Sequence, residues 1–476
     1  MRTTINDLFN SRARVIYLTS FYRGQLVWTK GENSEEYKFC FSHPHDADCY
    51  PKMPVILQSN GLPWDIGNAY LLGQLDRPNL SNMKTLSSRA IHLKYYLQYL
   101  EDTDQHFLDL PKLYHERAPQ KFKAFMTDIL YSLDYSAEYI NNILSTVAHF
   151  YTNISYESLV TEESLENKPF SHIQKTIMTT NKVGLAKSID IITNDLRIKS
   201  SRRPIPELGK LRDGGSLRPL TLDEQEVIFH AFGKSYASIE LELMIRIALE
   251  TGARQQSVCT LSISCIKDAC LTLENDLSLN VTTINAGQRF KADSKGGRVN
   301  RLIFSRDLIY DLDNYINCER AETRRKKENS FYNDTIDNYL FLTRDGNPYL
   351  SAQREIIDRR NPKPEWNSKV SVMIPKNGQS LRNELKRFIS RIQIDTPTFH
   401  DFSFHDLRAT AGMNIVRSMR AQSYPDSKIF DHVRQRLNHK DIKTTEMYLN
   451  FDSELTEFND IQEAFGSMFY KGENDE

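Results

Sequence analysis

No stretch of the chain approaches the roughly 18 consecutive apolar residues that a membrane-crossing helix needs, so no membrane partner is expected. The N-terminus, MRTTINDLFNSRARVIYL, lacks the basic start, the apolar run and the small-residue cleavage site of a secretory signal. Cysteine is scarce. Six in 476 residues are too few for a disulfide framework, and a reducing, cytoplasmic setting is expected. Net charge is nearly absent as well, at -1. Duplex DNA is bound by Lys and Arg near phosphates, and this sum does not announce such a binder. What is present is a globular composition, 39% hydrophobic and 26% charged, in a chain long enough for two or three domains.

The distribution of charge says more than its sum. Arg197, Lys199, Arg202, Arg203, Lys210 and Arg212 crowd one stretch, and Arg320, Arg324, Arg325, Lys326 and Lys327 another. The end is acidic, with Asp452, Glu454, Glu457, Asp460, Glu463, Glu473, Asp475 and Glu476. An acidic tail can hide a basic face from the total, although any single run reads most simply as a solvated helix face.

Residues 1–75 are mixed and aromatic-rich, and PVILQSNGLPWDIGNAYLL predicts a strand, a turn and a helix. Here Cys40, His43, His45 and Cys49 put four soft ligands close together. Zinc modules separate their ligand pairs by a longer spacer, so these are read as ordinary thiols and loop histidines. From about 80 to 155 the pattern is helical: Leu86, Ala90, Leu93, Leu97 and Leu100 form one apolar stripe, and Tyr139, Ile140, Ile143, Leu144, Val147, Phe150 and Tyr151 another. FKAFMTDIL is a third short helix. The stretch SSRRPIPELGKLRDGGSLRP has linker chemistry. It stops at Thr221-Leu-Asp-Glu224, a capping box that predicts a helix start and a new domain near Pro219. LSLNVTTI and VNRLIF alternate and flank a turn at Ser294-Lys295-Gly296-Gly297, which predicts a hairpin.

Three pieces of the second half carry chemistry. LETGARQQSVCTL sets Arg254 just after a Thr-Gly turn. FHDLRATAGMNIV sets His405 and Arg408 three apart, on one face of a helix. LNHKDIKTTEMYLN holds His439 and Tyr448. Arginines offer forked donors to a phosphate, histidines donate or move protons near neutral pH, and a hairpin lysine can supply one. A tyrosine hydroxyl is a weak nucleophile that its neighbours must activate. Together these groups suit phosphoryl transfer to tyrosine, with fixed cations meeting the transition-state charge. No clustered carboxylates accompany them, so no metal or other cofactor is expected.

In order and local wording these residues resemble the tyrosine recombinase (phage integrase) family, whose pattern runs Arg, hairpin Lys, His-x-x-Arg, His, Tyr. It is met by Arg254, Lys295, His405 with Arg408, His439 and Tyr448. Thr-Gly-x-Arg is present at Thr251 to Arg254, and His-Asp-Leu-Arg at His405 to Arg408. There are departures. Many members carry an acid three residues after the first Arg, where this chain has Ser257, and Leu-Gly-His, where it has Leu437-Asn438-His439. The chain also runs long between Phe304 and His405, with a charged insertion over 318–365. Lys291 rivals Lys295, which is preferred because it sits at the turn. His400 and His432 are read as structural or surface residues.

The resemblance implies a mainly α fold with a small antiparallel β-sheet (α+β), built from a helical core-binding domain and a catalytic domain. The expected layout is an N-terminal extension over 1–75 that reads arm sites or binds a partner, a DNA clamp over 76–200, a basic linker over 201–218, the catalytic domain over 219–460 and an acidic tail over 461–476. The implied activity is site-specific recombination or integration through a 3'-phosphotyrosyl intermediate with Tyr448 as nucleophile. The implied partners are double-stranded DNA and further copies of the chain, four on two DNA sites, in a bacterial cytoplasm. A topoisomerase of type IB, a telomere resolvase and an inert DNA-bridging protein of the same fold are the alternatives. The target sequence and the kind of mobile element are not legible.

Overall fold

The computed structural model describes residues 4–23, 26–30, 37–41, 48–76, 83–133, 135–157, 159–161, 167–180, 186–198, 209–359, 362–367 and 375–451. Of the ligand set considered for zinc, His43 and His45 lie outside what it describes, as do the basic positions 199, 202 and 203 and the acidic tail over 461–476. The chain divides into two compact units, residues 1–205 and residues 206–371 with 375–476.

In the first unit, β1 (Arg14–Arg23) pairs antiparallel with β4 (Asp48–Leu57), and between them β2 (Leu26–Lys30) pairs with β3 (Tyr37–Phe41). A turn with Gly61 at φ +87° leads to α1 (Asp65–Gly73), the strand, turn and helix expected there. Next come α2 (Met83–Asp102), α3 (Ala118–Ser132) and α4 (Ala137–Tyr156). The Ser136 side chain accepts from the Tyr139 N–H and so satisfies one of the free donors that start α4. Both predicted stripes face inward: Leu86, Ala90, Leu93, Leu97 and Leu100 on α2 are buried, as are Ile140, Ile143, Leu144, Val147, Phe150 and Tyr151 on α4. Ile5, Ala13, Met53, Ile56 and Trp64 join the same core, so the region before residue 75 shares its hydrophobic interior with the helices. A hairpin of β5 (His172–Thr180) and β6 (Ala186–Asn194) completes the unit.

The second unit opens with a tight hairpin, β7 (Leu211–Arg212) and β8 (Ser216–Leu217), inside the stretch read as linker. The capping box at α5 (Leu222–Gly233) forms as predicted: the Thr221 side chain accepts from the Glu224 N–H, and the Glu224 carboxylate accepts from the Thr221 N–H at 2.9 Å. Then follow α6 (Ile239–Thr251), α7 (Gln255–Thr260) and α8 (Ile263–Asn275). The predicted hairpin pairs β9 (Val281–Ala286) with β10 (Asn300–Ser305), in register from Asn300↔Ala286 to Ser305↔Val281. Six more helices follow: α9 (Arg306–Ile316), α10 (Glu319–Arg325), α11 (Gln353–Asp358), α12 (Gln379–Asp395), α13 (Asp406–Ala421) and α14 (Asp426–Leu437). A further helix, α15, covers residues 442–451. The fold is mainly α with small antiparallel ladders, each of two strands among the described residues.

The basic run at 320–327 is not a free face. Arg320 and Arg324 both grip the buried carboxylate of Glu240 on α6, at 2.8 Å and 2.9 Å. Arg325 pairs with Asp334 at 2.6 Å. Phe331, Tyr332, Tyr339 and Trp366 give the insertion an aromatic core of its own. Among the described residues no helix is long and apolar enough to cross a membrane.

Candidate active site

Each motif residue owes its place to a local backbone feature. Helix α6 ends at Gly252, whose φ of +67° suits a residue without Cβ and turns the chain so that Arg254 begins α7. Lys295 stands at the tip between β9 and β10, before Gly296 and Gly297, both at φ +68°. His405 precedes the first turn of α13 and Arg408 lies in that turn. Helix α14 ends on Asn438, left-handed at φ 52°, and the Asn438 side-chain amide donates to the Val299 carbonyl at 2.9 Å. That bond ties the start of the His439 segment to the loop that carries Lys295. Tyr448 lies on α15 with no exposed surface, packed with Leu211, Leu217, Met413, Val433 and Leu437.

These residues converge on one group that the motif does not contain, the carboxylate of Asp213 at the tip of the β7–β8 hairpin. Its Oδ2 accepts from Arg408 Nε at 2.7 Å, from His439 Nε2 at 3.1 Å and from the Tyr448 hydroxyl at 3.4 Å. Its Oδ1 lies 3.8 Å from Arg254 Nη2. The Asp213 backbone carbonyl meets His405 Nε2 at 3.0 Å, and since a carbonyl only accepts, that nitrogen carries the proton. A Cβ placed on Gly214 would lie 3.6 Å from Lys295 Nζ and 3.6 Å from His405 Nε2, so the lysine also reaches the hairpin tip. All six motif residues therefore surround one loop. Lys291 is engaged elsewhere, 2.9 Å from Asp337. His400 and His432 are exposed at the surface.

Residues 218–454, which hold all six, match the model of the phage integrase family. The chain belongs to that family. None of the curated proteins matches it. Among solved structures this family member is similar to the XerH site-specific recombinase bound to a palindromic difH substrate in a post-cleavage complex. The identity there is 14%, over 83% of this chain and 88% of that one, with a TM-score of 0.43. It is also similar to the Tn1549 transposon integrase in complex with circular intermediate DNA, at 15% identity over 83% and 98% of the two chains, with a TM-score of 0.39.

The electrostatics of this integrase-family site follow from burial and from Asp213. Burial opposes the charge on Asp213, but the hydrogen bond from His439 and the charge of Arg408 outweigh it and hold the carboxyl well below its usual range. Burial first, and then the negative charge of Asp213, push the Tyr448 hydroxyl far above its ordinary value, while Arg408 and Arg254 pull the other way. Burial lowers the His405 imidazole, and the hydrogen bond to the Asp213 carbonyl opposes that shift. Arg408 has no exposed surface; its Nη1 donates to the Gly252 carbonyl at 2.8 Å and its Nη2 to the Leu437 carbonyl.

Sequence reasoning passed over Asp213. It belongs to none of the motifs that carry the family resemblance and sits in a stretch rich in Pro, Gly and basic residues. The signal that points to it is Asp213-Gly214-Gly215 between Leu211 and Leu217, a tight-turn sequence between two apolar residues. Ser257, where many members carry an acid, is buried on α7.

Proposed function

We propose that this chain cleaves and rejoins duplex DNA at specific sites, with Tyr448 as the nucleophile. The Tyr448 oxygen forms a bond to the scissile phosphorus and the bond to the 5'-oxygen breaks, leaving a 3'-phosphotyrosyl link and a free 5'-hydroxyl. Lys295 gives the leaving oxygen its proton, and the half-buried His405 is the acid/base partner, able to take up the tyrosine proton on the ring nitrogen that does not donate to the Asp213 carbonyl. Arg254 and Arg408 hold the non-bridging oxygens and His439 donates a hydrogen bond to the phosphate. The covalent link conserves bond energy, so rejoining is the reverse transfer to a 5'-hydroxyl. Four copies on two DNA sites, on nucleoid DNA in a bacterial cytoplasm, are the assembly this chemistry needs for strand exchange.

The observation that carries the reading is the convergence of Arg254, Arg408, His439 and Tyr448 on a single oxyanion, the Asp213 carboxylate. A pocket that organises two guanidiniums, an imidazole and a tyrosine hydroxyl around one anion has the donor set a phosphodiester requires.

The test uses duplexes of randomised sequence, nicked so that the short 5'-hydroxyl fragment diffuses away after cleavage. The wild-type chain leaves a covalent adduct that survives denaturant, and Tyr448→Phe leaves none. An adduct in Tyr448→Phe removes Tyr448 as nucleophile. Relaxation of supercoiled plasmid carrying none of the selected sequences moves the assignment to a topoisomerase.

A further inference from the structure

We propose that Asp213 is a built-in stand-in for the scissile phosphate, an acidic plug that DNA must expel before the site can work. The inference rests on the phosphotyrosyl reading above and adds a residue and a resting state to it.

The carboxylate holds the donors that the phosphate would need. Oδ2 of Asp213 takes a hydrogen bond from each of Arg408, His439 and Tyr448, and Oδ1 faces Arg254. These are the groups assigned to the phosphate. Two oxyanions cannot accept from the same donors in the same place, and a carboxylate beside a phosphate adds like-charge repulsion. In this arrangement Tyr448 is also covered and its hydroxyl is spent on the carboxylate.

Charge balance points the same way. Arg408 is fully buried, and a buried cation without an anion is costly. In the free protein Asp213 supplies the anion; in the complex the phosphate would. The plug thus keeps the cationic pocket assembled and yields to a ligand of the same sign.

The hairpin is built for this exchange. Its feet, Leu211 and Leu217, are buried in the cluster that holds Tyr448. Its tip is Asp213-Gly214-Gly215, with Gly214 at φ +73°. The Asp213 N–H bonds the Gly215 carbonyl at 3.2 Å, and the Asp213 carbonyl meets His405 at 3.0 Å. The plug requires only this tip to move, breaking the His405 bond, while the feet stay packed. The competing role is a permanent site acid that replaces the carboxylate missing at Ser257, and it differs in sign: a permanent acid is needed for cleavage, whereas a plug restrains it.

Two measurements on the full chain decide between them. In the first, thermal unfolding is followed with and without millimolar inorganic phosphate. Phosphate raises the Tm of Asp213→Ala, because the anion refills the vacated place, and leaves wild type and the isosteric Asp213→Asn, whose amide still fills that place, nearly unchanged. Equal response of Asp213→Ala and wild type overturns the plug. In the second, adduct formation on the nicked random pool is compared. Asp213→Asn forms adduct about tenfold faster than wild type at low DNA concentration, the ratio expected for losing one charge-assisted contact. A slower rate makes Asp213 a working member of the site and overturns the plug. If wild type forms no adduct at all, the phosphotyrosyl reading fails, and the phosphate measurement still judges the plug by itself.

Discussion

Arg408 Nε donates to Asp213 Oδ2 across 2.7 Å, and neither side chain has more than slight contact with solvent. The pair joins residues 195 positions apart and sits where the six motif residues meet. Removing one partner of such a pair leaves the other buried and uncompensated. Asp213→Ala is expected to cost about 3–5 kcal/mol of stability at neutral pH, read from chemical denaturation. A loss below about 1 kcal/mol means that water or a neighbour replaces the carboxylate.

The same pair sets an acid limit. The folded-state pKa of Asp213 lies below its unfolded value, so the folded state binds fewer protons and stability rises with pH across the window between them. The contribution is fully present above the unfolded value of about 3.9 and is lost as pH falls through the folded one. Wild type should therefore lose stability below about pH 4, and progressively further as pH falls toward the folded value, more steeply than Asp213→Asn. Parallel curves for the two proteins contradict this.

Gly412 on α13 is expected to be irreplaceable. A Cβ there would collide with the Tyr448 ring, lying 2.8 Å from Cδ1, and would come 2.8 Å from a Leu437 methyl. Overpacking of this kind costs about 1–3 kcal/mol, and here it also displaces the proposed nucleophile. Gly412→Ala should lower both Tm and adduct yield. Unchanged yield at lowered Tm would show that Tyr448 tolerates the shift.

The two hairpin lysines should separate cleanly. Lys295→Ala is expected to slow cleavage by about 10²–10⁴-fold through loss of the general acid. Substrates with sulfur in place of the bridging 5'-oxygen should restore the rate, because a thiolate leaves without a proton. Lys291→Ala, which removes only the ion pair to Asp337, should leave cleavage close to wild type. The reverse pattern would transfer the acid role to Lys291.

Glu240 anchors the insertion. Its carboxylate is fully buried and takes Arg320, Arg324 and the Tyr315 hydroxyl. Glu240→Gln should destabilise the second unit by about 3–5 kcal/mol and raise its sensitivity to proteolysis around 318–330. Retention of wild-type stability would mean that the arginines find water instead.

Much of this molecule is decided by local rules that act over three to ten residues. The stripes on α2 and α4, the capping box at Thr221, the β9–β10 pairing and the left-handed turn at Asn438 each follow from periodicity or backbone freedom that neighbouring residues settle among themselves. The order Arg254, Lys295, His405, Arg408, His439, Tyr448 is equally a property of the chain as written, and with it the family. Tertiary structure alone decided what stands between those residues. Asp213 reaches Tyr448 across 235 positions because Leu211 and Leu217 pack into the cluster around α13, α14 and α15, and no spacing along the chain encodes that docking. The same holds for the cations at 320–325: they read as a solvated face until Glu240, some 80 positions earlier, is folded beneath them. A charge run says nothing about which carboxylate lies under it. That depends on the packing of distant elements, which only the assembled fold provides.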